Sequence, residues 1–257
     1  MKLKLIAAAA VLAATGAANA ALIDQGADGH SDFFFSIWDT TRSYTANLNL
    51  QQNVFTAAVA APGAYSFSRA LSADPLFAAF ISSANLSELT WHVLAAESLG
   101  ARTLHQTYTP GTLPELAQTA LNGRTMTGSI QTFMGRVNDA MAPGGNSVFI
   151  TSTTAPAYAG NLGCFNNFAT QEFNNCGTLA NNSAATGLGL VVETYAGTGT
   201  ARGSFTPLMD GGLPMSVYLD ASYNLQMAPV PEPETYAMLL AGLGLMGAVA
   251  RRRQNKG

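Results

Sequence analysis

The central part of this chain has very little positive charge. Between residues 21 and 230 there is no lysine, and six arginines stand against eight aspartates and five glutamates, a formal charge of about −7. Nucleic-acid binding needs a basic surface, so this composition excludes nucleic acid as a partner. Asparagine, threonine, serine, glycine and alanine are abundant instead. A polar surface with few charges is typical of an exported β-rich protein rather than of a cytosolic enzyme.

Histidine is also scarce, which limits the possible catalytic sites. The chain has three, His30, His92 and His105. We expect His92 and His105 on the two strands of a hairpin, where they could face each other with Glu97 close in sequence. No G-x-S-x-G nucleophile motif occurs in the chain. Partly buried strand histidines are commoner than catalytic ones, so we expect no catalytic histidine.

Metal and phosphate sites lack their usual patterns. Four aspartates near the N-terminus could offer oxygen ligands to calcium, but their spacing fits no calcium loop, and we expect solvated carboxylates. They are Asp24, Asp28, Asp32 and Asp39. Two cysteines without a nearby histidine pair do not indicate zinc, and the glycine-containing segment 197–200 lacks the lysine of a phosphate loop. The sequence therefore predicts no metal site and no cofactor.

The N-terminus has the three parts of a secretory signal peptide. Lys2 and Lys4 precede an apolar run at residues 5–14, and small residues follow. Ala18 and Ala20 form an A-x-A cleavage site, so residues 1–20 are predicted to be removed during export.

The body, residues 21–228, is long enough for one domain with a sizeable core. Short apolar or alternating runs separated by turn residues predict strands, and a three- and four-residue apolar spacing predicts the strongest helix over residues 114–141. Gly123 and Gly128 weaken the middle of that helix, which leaves open one helix or two. We predict an α+β fold: an antiparallel, β-rich, sandwich-like body with two or three helical insertions.

Cys164 and Cys176 are the two cysteines of the chain. In an oxidising compartment one disulfide between them is the expected state. The loop that it would close repeats phenylalanine beside paired asparagines, a composition that could stack on sugar rings and bind hydroxyl groups. A stapled surface loop with inward-packed phenylalanines is the alternative that we favour.

Residues 229–257 have a different character. Val230, Pro231, Glu232 and Pro233 form a proline-stiffened acidic segment, because proline lacks an N–H and restricts the residue before it. Residues 236–250 carry no charge and predict a hydrophobic helix of about 22 Å, short of a bilayer core of about 30 Å. Arg251, Arg252 and Arg253 follow as a cytoplasmic stop, which places the body outside.

This ordered triplet resembles a PEP-CTERM sorting signal of Gram-negative bacteria. The resemblance implies recognition by a membrane exosortase, processing near the Pro-Glu-Pro motif, transient membrane insertion, and release or attachment at the cell surface. It also implies an association with exopolysaccharide and biofilm matrix. An ordinary membrane anchor with a proline-rich stalk is the alternative. The resemblance covers about a tenth of the chain and implies nothing about the fold of the body.

We therefore expect a protein that is exported across the inner membrane, is tethered there as a precursor, and then acts at the cell surface or outside the cell by display and interaction rather than catalysis. A secreted hydrolase with the same tag is a second interpretation. Ice or surface binding is a third, because the same tag occurs on ice-binding proteins; Thr151, Thr153 and Thr154 offer one short threonine-rich stretch.

Overall fold

A computed structural model describes residues 22–26, 30–61, 65–100, 102–113, 119–164, 174–195 and 197–230. The three helices of this part are α1 Gln52–Ala60, α2 Pro75–Ser83 and α3 Ala120–Ala140. The strands are β1 Asp32–Trp38, β2 Ser43–Gln51, β3 Phe67–Ala70, β4 Thr90–Ala96, β5 Thr103–Tyr108, β6 Ser147–Ile150, β7 Leu188–Thr194, β8 Ser204–Pro207, β9 Met209–Asp210, β10 Leu213–Leu219 and β11 Asn224–Pro229.

The strands form one antiparallel sheet. Its order is β3-β11-β10-β7-β5-β4-β1-β2-β6, with β8 paired to β7 and β9 paired to β10. The sheet is curled, so that strands near its two edges come close together. Arg69 on the edge strand β3 donates a hydrogen bond to the carbonyl oxygen of Asn47 on β2, which lies next to the other edge strand. The predicted β-rich α+β class is confirmed. The sandwich-like arrangement is corrected, since a single curled sheet has helices over its faces in place of a second sheet.

Both faces of the sheet are buried, which explains why all seven residues of β1 are buried and why its apolar residues do not alternate with polar ones. Phe33, Phe35 and Ile37 point into one core, and Phe34 and Trp38 point into the other. Helices α1 and α2 complete the first core, and α3 completes the second, which includes Cys176. The body is therefore three layers, with the sheet in the middle.

Helix α2 begins as its sequence predicts. The Asp74 carboxylate accepts a hydrogen bond of 2.8 Å from the Leu76 N–H, and Pro75 occupies the first helical position, where a missing N–H costs nothing. Helix α3 begins at Ala120 and is continuous, which settles the choice between one helix and two. The first part of the predicted helix, residues 114–118, lies outside the described residues.

The alternating pattern of residues 215–227 predicts one long strand, but these residues belong to a hairpin. β10 and β11 pair from Met215–Pro229 to Leu219–Leu225. The turn between them is held by the Asp220 carboxylate, which accepts the backbone N–H groups of Ser222 and Asn224 at 2.8 and 2.9 Å. An aspartate that binds the backbone two residues on is a turn signal that apolar alternation alone does not show.

Gly123 is essential to the packing of α3. A Cβ atom there would lie 2.1 Å from ring carbons of Tyr195, a residue with no exposed surface. Gly128 lies on the same helix with nothing within 4 Å of its would-be Cβ. The two glycines that weaken the helical pattern therefore differ in their roles.

We predict that Gly123→Ala lowers the free energy of unfolding by about 1–3 kcal/mol, because the Tyr195 ring must move in a closely packed core. Gly128→Ala is the matched control and should raise it by about 0.5–1 kcal/mol through helix propensity. Urea unfolding of the two variants and the parent protein measures both changes. Equal effects of the two substitutions would contradict the packing of α3 described above.

Candidate functional site

Strand β11 leads the chain directly into the Pro-Glu-Pro segment. Pro229 pairs with Met215, and the Val230 N–H donates a hydrogen bond of 2.8 Å to the carbonyl oxygen of Pro214. Val230 is the last residue of the described part of the chain, and Pro231, which follows it, has no N–H to donate to any strand pairing. The described body is therefore hydrogen bonded up to the residue before Pro231. Residues 231–257, including Glu232, Pro233, the apolar run and Arg251, Arg252 and Arg253, lie outside the described residues.

The strands of the sheet have two ends, and we use the name exit end for the one at which Val230 lies. The antiparallel registers place there the C-terminal ends of β2, β4, β7 and β11, and the N-terminal ends of β1, β3, β5, β6 and β10. The opposite end of the strands, which carries the β1–β2 turn and the β10–β11 turn, is the distal end. Each of the nine strands in the sheet order β3-β11-β10-β7-β5-β4-β1-β2-β6 runs between these two ends.

The start of the body lies at the exit end as well. The Asp24 N–H donates to the Asp32 carboxylate at 3.0 Å, and Asp32 is the first residue of β1. The Asn138 side chain of α3 binds both the N–H and the carbonyl oxygen of Ile23, at 2.8 and 2.9 Å. The predicted signal cleavage site, at Ala18 and Ala20, falls outside the described residues. The segment that follows the predicted signal peptide and the strand that precedes the tail therefore lie at the same end of the body.

The disulfide lies at the distal end. Cys164 and Cys176 are bonded, as predicted, with their Cα atoms 5.4 Å apart. The next residue, Gly177, pairs with Trp91 near the start of β4 through two backbone hydrogen bonds of 2.8 and 2.9 Å. The enclosed residues 165–173 are outside the described part of the chain. The disulfide therefore closes its loop at the distal end, opposite the end at which the tail begins.

A chain of buried polar side chains links this disulfide region to the exit end. Asn175 donates to the Gln106 side chain at 3.4 Å, and Gln106 donates to the Glu193 carboxylate at 3.2 Å. Burial first and the nearby Glu193 second raise the pKa of Tyr195, which follows β7 at the exit end. None of the four side chains is exposed. Sequence reasoning missed this network, because polar residues within strands resemble surface positions.

The two strand histidines do not face each other. His105 pairs with Ala95, and paired side chains point to the same face of the sheet. His92 lies three positions before Ala95 on β4, so its side chain points to the opposite face. His92 packs against the rings of Trp38 and Phe34, with ring centroids 4.9 and 6.2 Å apart. The expected pairing of the histidines is therefore wrong.

His105 contacts one hydroxyl group. Its Nε2 lies 3.3 Å from the Thr56 hydroxyl of α1, while its Nδ1 has no hydrogen-bond partner among the described residues. A nucleophile–base pair needs a third group that orients the ring. Glu97 is fully buried, and its carboxylate accepts a hydrogen bond of 3.5 Å from the Thr103 hydroxyl. The arrangement lacks the hydrogen bond to Nδ1 on which such a mechanism depends.

The N-terminal aspartates do not converge either. Asp32 lies at the exit end of β1, where Asn47 binds its carboxylate at 2.9 Å, and burial raises its pKa. Asp39 follows the distal end of β1 and accepts the backbone N–H groups of Thr41 and Arg42. Asp28 is outside the described residues. Within the ranges that the structure describes, no three His, Cys, Asp or Glu residues form a group that could hold a metal ion.

Burial lowers the pKa of both His92 and His105 to about 3, against an ordinary value near 6.5. A lowered folded-state pKa means that the unfolded chain binds more protons below pH 6.5, so stability is complete above pH 6.5 and is lost between pH 6.5 and 3. At pH 5 the loss should be about 2 kcal/mol per histidine. Urea unfolding at pH 7 and pH 5 measures it.

His92→Leu should remove about half of this pH dependence. Asp32, whose pKa burial raises, is present in both this variant and the parent protein, so its contribution cancels. If His92→Leu has the same difference between pH 7 and pH 5 as the parent protein, the burial of a neutral His92 is contradicted.

Comparison with protein families identifies the tail. The family model of the PEP-CTERM protein-sorting motif matches residues 229–254, which begin with the last residue of β11. No curated protein and no solved structure matches the chain significantly. Among the described residues no helix is long and apolar enough to cross a membrane, and the apolar run at 236–250 lies beyond them. The chain therefore carries a PEP-CTERM sorting signal, which marks it as an exported protein that an exosortase sorts.

Proposed function

We propose that this protein acts by display: its body is held at the cell surface by the exit end and presents the disulfide-closed loop at the distal end to the extracellular matrix. The observation that carries the proposal is the placement of these two features at opposite ends of the sheet. Val230 leaves one end, and Cys176 is anchored beside β4 at the other. A module built in this way needs no catalytic site.

The short connection to the tail supports surface display. Val230, the last described residue, is hydrogen bonded to β10, and the charge-free run begins at Tyr236. Processing near Pro231-Glu232-Pro233 would therefore occur next to a folded sheet. The released or attached product would end within a few residues of β11.

The loop at the distal end suggests the partner. Residues 165–175 contain three phenylalanines and four asparagines and no basic residue. Aromatic faces stack on sugar rings, and amide groups pair with hydroxyl groups. The disulfide reduces the number of conformations that the loop can adopt, which lowers the entropic cost of binding. Against the inward packing that the composition alone favours, we propose that the loop displays its phenylalanines and that exopolysaccharide is the ligand, in the biofilm context that the sorting signal suggests.

The two competing functions have less support. A hydrolase would need the two histidines or another nucleophile–base pair to converge, and His92 and His105 lie on opposite faces. An ice-binding surface would need a flat, regular threonine array. Residues 151–154 follow β6 in turns, where the hydroxyl groups of Ser152 and Thr154 bind each other at 2.8 Å.

The tail's role is tested with an epitope tag placed after Gly257. In the parent protein the tag should be lost from the surface form, because processing near the Pro-Glu-Pro motif removes the segment behind it. Replacement of Pro231, Glu232 and Pro233 by alanine should keep the tag and leave the protein in the membrane fraction. A tag retained on the parent's surface form would show that the segment is a plain anchor.

Ligand binding is tested with exopolysaccharide purified from the producing bacterium. The parent protein should bind, and a variant with residues 165–173 replaced by glycine and serine, with both cysteines kept, should bind at least tenfold more weakly. Leu99→Ser, at the opposite end of the sheet, is the control and should bind like the parent. Circular dichroism of all three checks the fold. No binding by the parent, or equal binding by the loop variant, would refute the glycan proposal.

A further inference from the structure

The exposed apolar side chains are not spread evenly over the body. Among the described residues, seven large apolar side chains have at least 40% of their surface exposed. Single exposed apolar residues are normal and need no explanation, whereas a cluster on one surface does. Five of the seven lie at the exit end: Leu22, Val54, Leu99, Leu121 and Met209. Leu76 and Leu86 lie at the distal end.

Three of the five positions follow directly from the strand registers. Leu99, 66% exposed, lies in the turn that joins the exit ends of β4 and β5. Met209 pairs with Pro214, whose carbonyl oxygen accepts the last hydrogen bond, from Val230. Val54 lies in the first turn of α1, which starts where β2 reaches the exit end.

The other two are fixed by hydrogen bonds. The carbonyl oxygen of Leu22 accepts from the Asn47 side chain, which also binds Asp32 at the start of β1. The Leu121 N–H donates at 3.1 Å to Gly199, in the connection that follows β7 at the exit end. The five side chains therefore extend across the sheet from β1 to β10.

Helix α1 lies beside the same end and adds to this surface. It contains no charged residue in nine positions. Its Gln52 contacts Thr103 at the exit end of β5, and its C-terminal half leads to β3, whose first residue also lies at this end. Ala57, Ala60 and Ala61 are exposed on it beside Val54. The exposed side chains of α1, which also include Asn53 and Thr56, are thus small and uncharged.

The tail limits how far this end can be from the bilayer. Six residue steps separate Val230 from Tyr236, where the charge-free run begins, and they span at most about 20 Å when fully extended. Since Val230 is hydrogen bonded to β10, the exit end stays within that distance while the run is in the membrane. The apolar cluster and the tether thus meet at one surface.

We propose that the exit end is a membrane-contacting face, and that Leu22, Val54, Leu99, Leu121 and Met209 enter the headgroup region of the bilayer while the tail is inserted. The contact fixes the body upright, with the disulfide loop directed away from the lipid, and holds the Pro-Glu-Pro segment at the depth of a membrane enzyme. This inference depends on the tail insertion that the proposed function includes.

Lipid quenching in pure vesicles tests the contact without any other protein. The full chain without residues 1–20, with the native disulfide intact, is reconstituted after one of two positions, Leu99 or Leu86, has been replaced by cysteine and labelled with an environment-sensitive fluorophore. A nitroxide in the lipid headgroup should quench the label at Leu99 at least threefold more than the label at Leu86. Leu240→Cys, in the apolar run, serves as the control for tail insertion.

Each outcome has a separate meaning. Quenching at positions 240 and 99 but not at 86 supports the contact. Quenching at 240 alone overturns it and leaves the tail's insertion intact. A label at 99 that is shielded from water but not quenched shows contact with a second copy of the chain, and also overturns it. No quenching at 240 refutes the tail insertion of the proposed function itself. Leu99→Glu, which should abolish shielding of a label at Val54, repeats the test with a second variant.

Discussion

The antiparallel ladder of β10 and β11 is the constraint on which the organisation of this protein depends. Because β11 is paired on both sides, with β10 and with β3, its direction is fixed within the sheet. The ladder holds the chain up to Val230, which directly precedes the Pro-Glu-Pro segment. The register that builds the core therefore also determines at which end of the body the sorting segment begins.

The scarcity of charge has a structural counterpart. The described carboxylates are satisfied mainly by backbone N–H groups and amide side chains: Asp39, Asp74 and Asp220 each hold a turn or helix start. For Asp39 and Asp220, these hydrogen bonds outweigh burial and lower the pKa. Such contacts are short-ranged and local, so they are less sensitive to salt than an ion-pair network. That suits a protein exposed to an external medium whose ionic strength the cell does not control.

The sequence predicts the local elements of this fold better than their arrangement. The strands β1, β2, β4 and β5 and the start of α2 follow from apolar runs, turn residues and an N-cap, which are local signals. The sequence pattern does not predict helix α1, because α1 has a weak apolar stripe. It does not predict the β10–β11 turn either, because Asp220 acts through backbone contacts. The opposite faces of His92 and His105 depend on a register set by long-range pairing, and a one-residue shift would reverse the result. The sorting segment is recognisable from sequence because a proline-rich acidic motif, an apolar run and an arginine cluster follow one another in one short stretch.

The height of the two ends above a bilayer tests the central claim most directly. Energy transfer from a donor at Leu99 or at Ser222, in the β10–β11 turn at the distal end, to acceptors on the lipid surface measures that height for the membrane-inserted full chain. An upright body predicts that Ser222 lies farther from the lipid by about 20 Å, the length of a six- or seven-residue strand. Equal heights for the two donors would show that the sheet lies flat on the membrane, and would contradict the exit end as the membrane-contacting face.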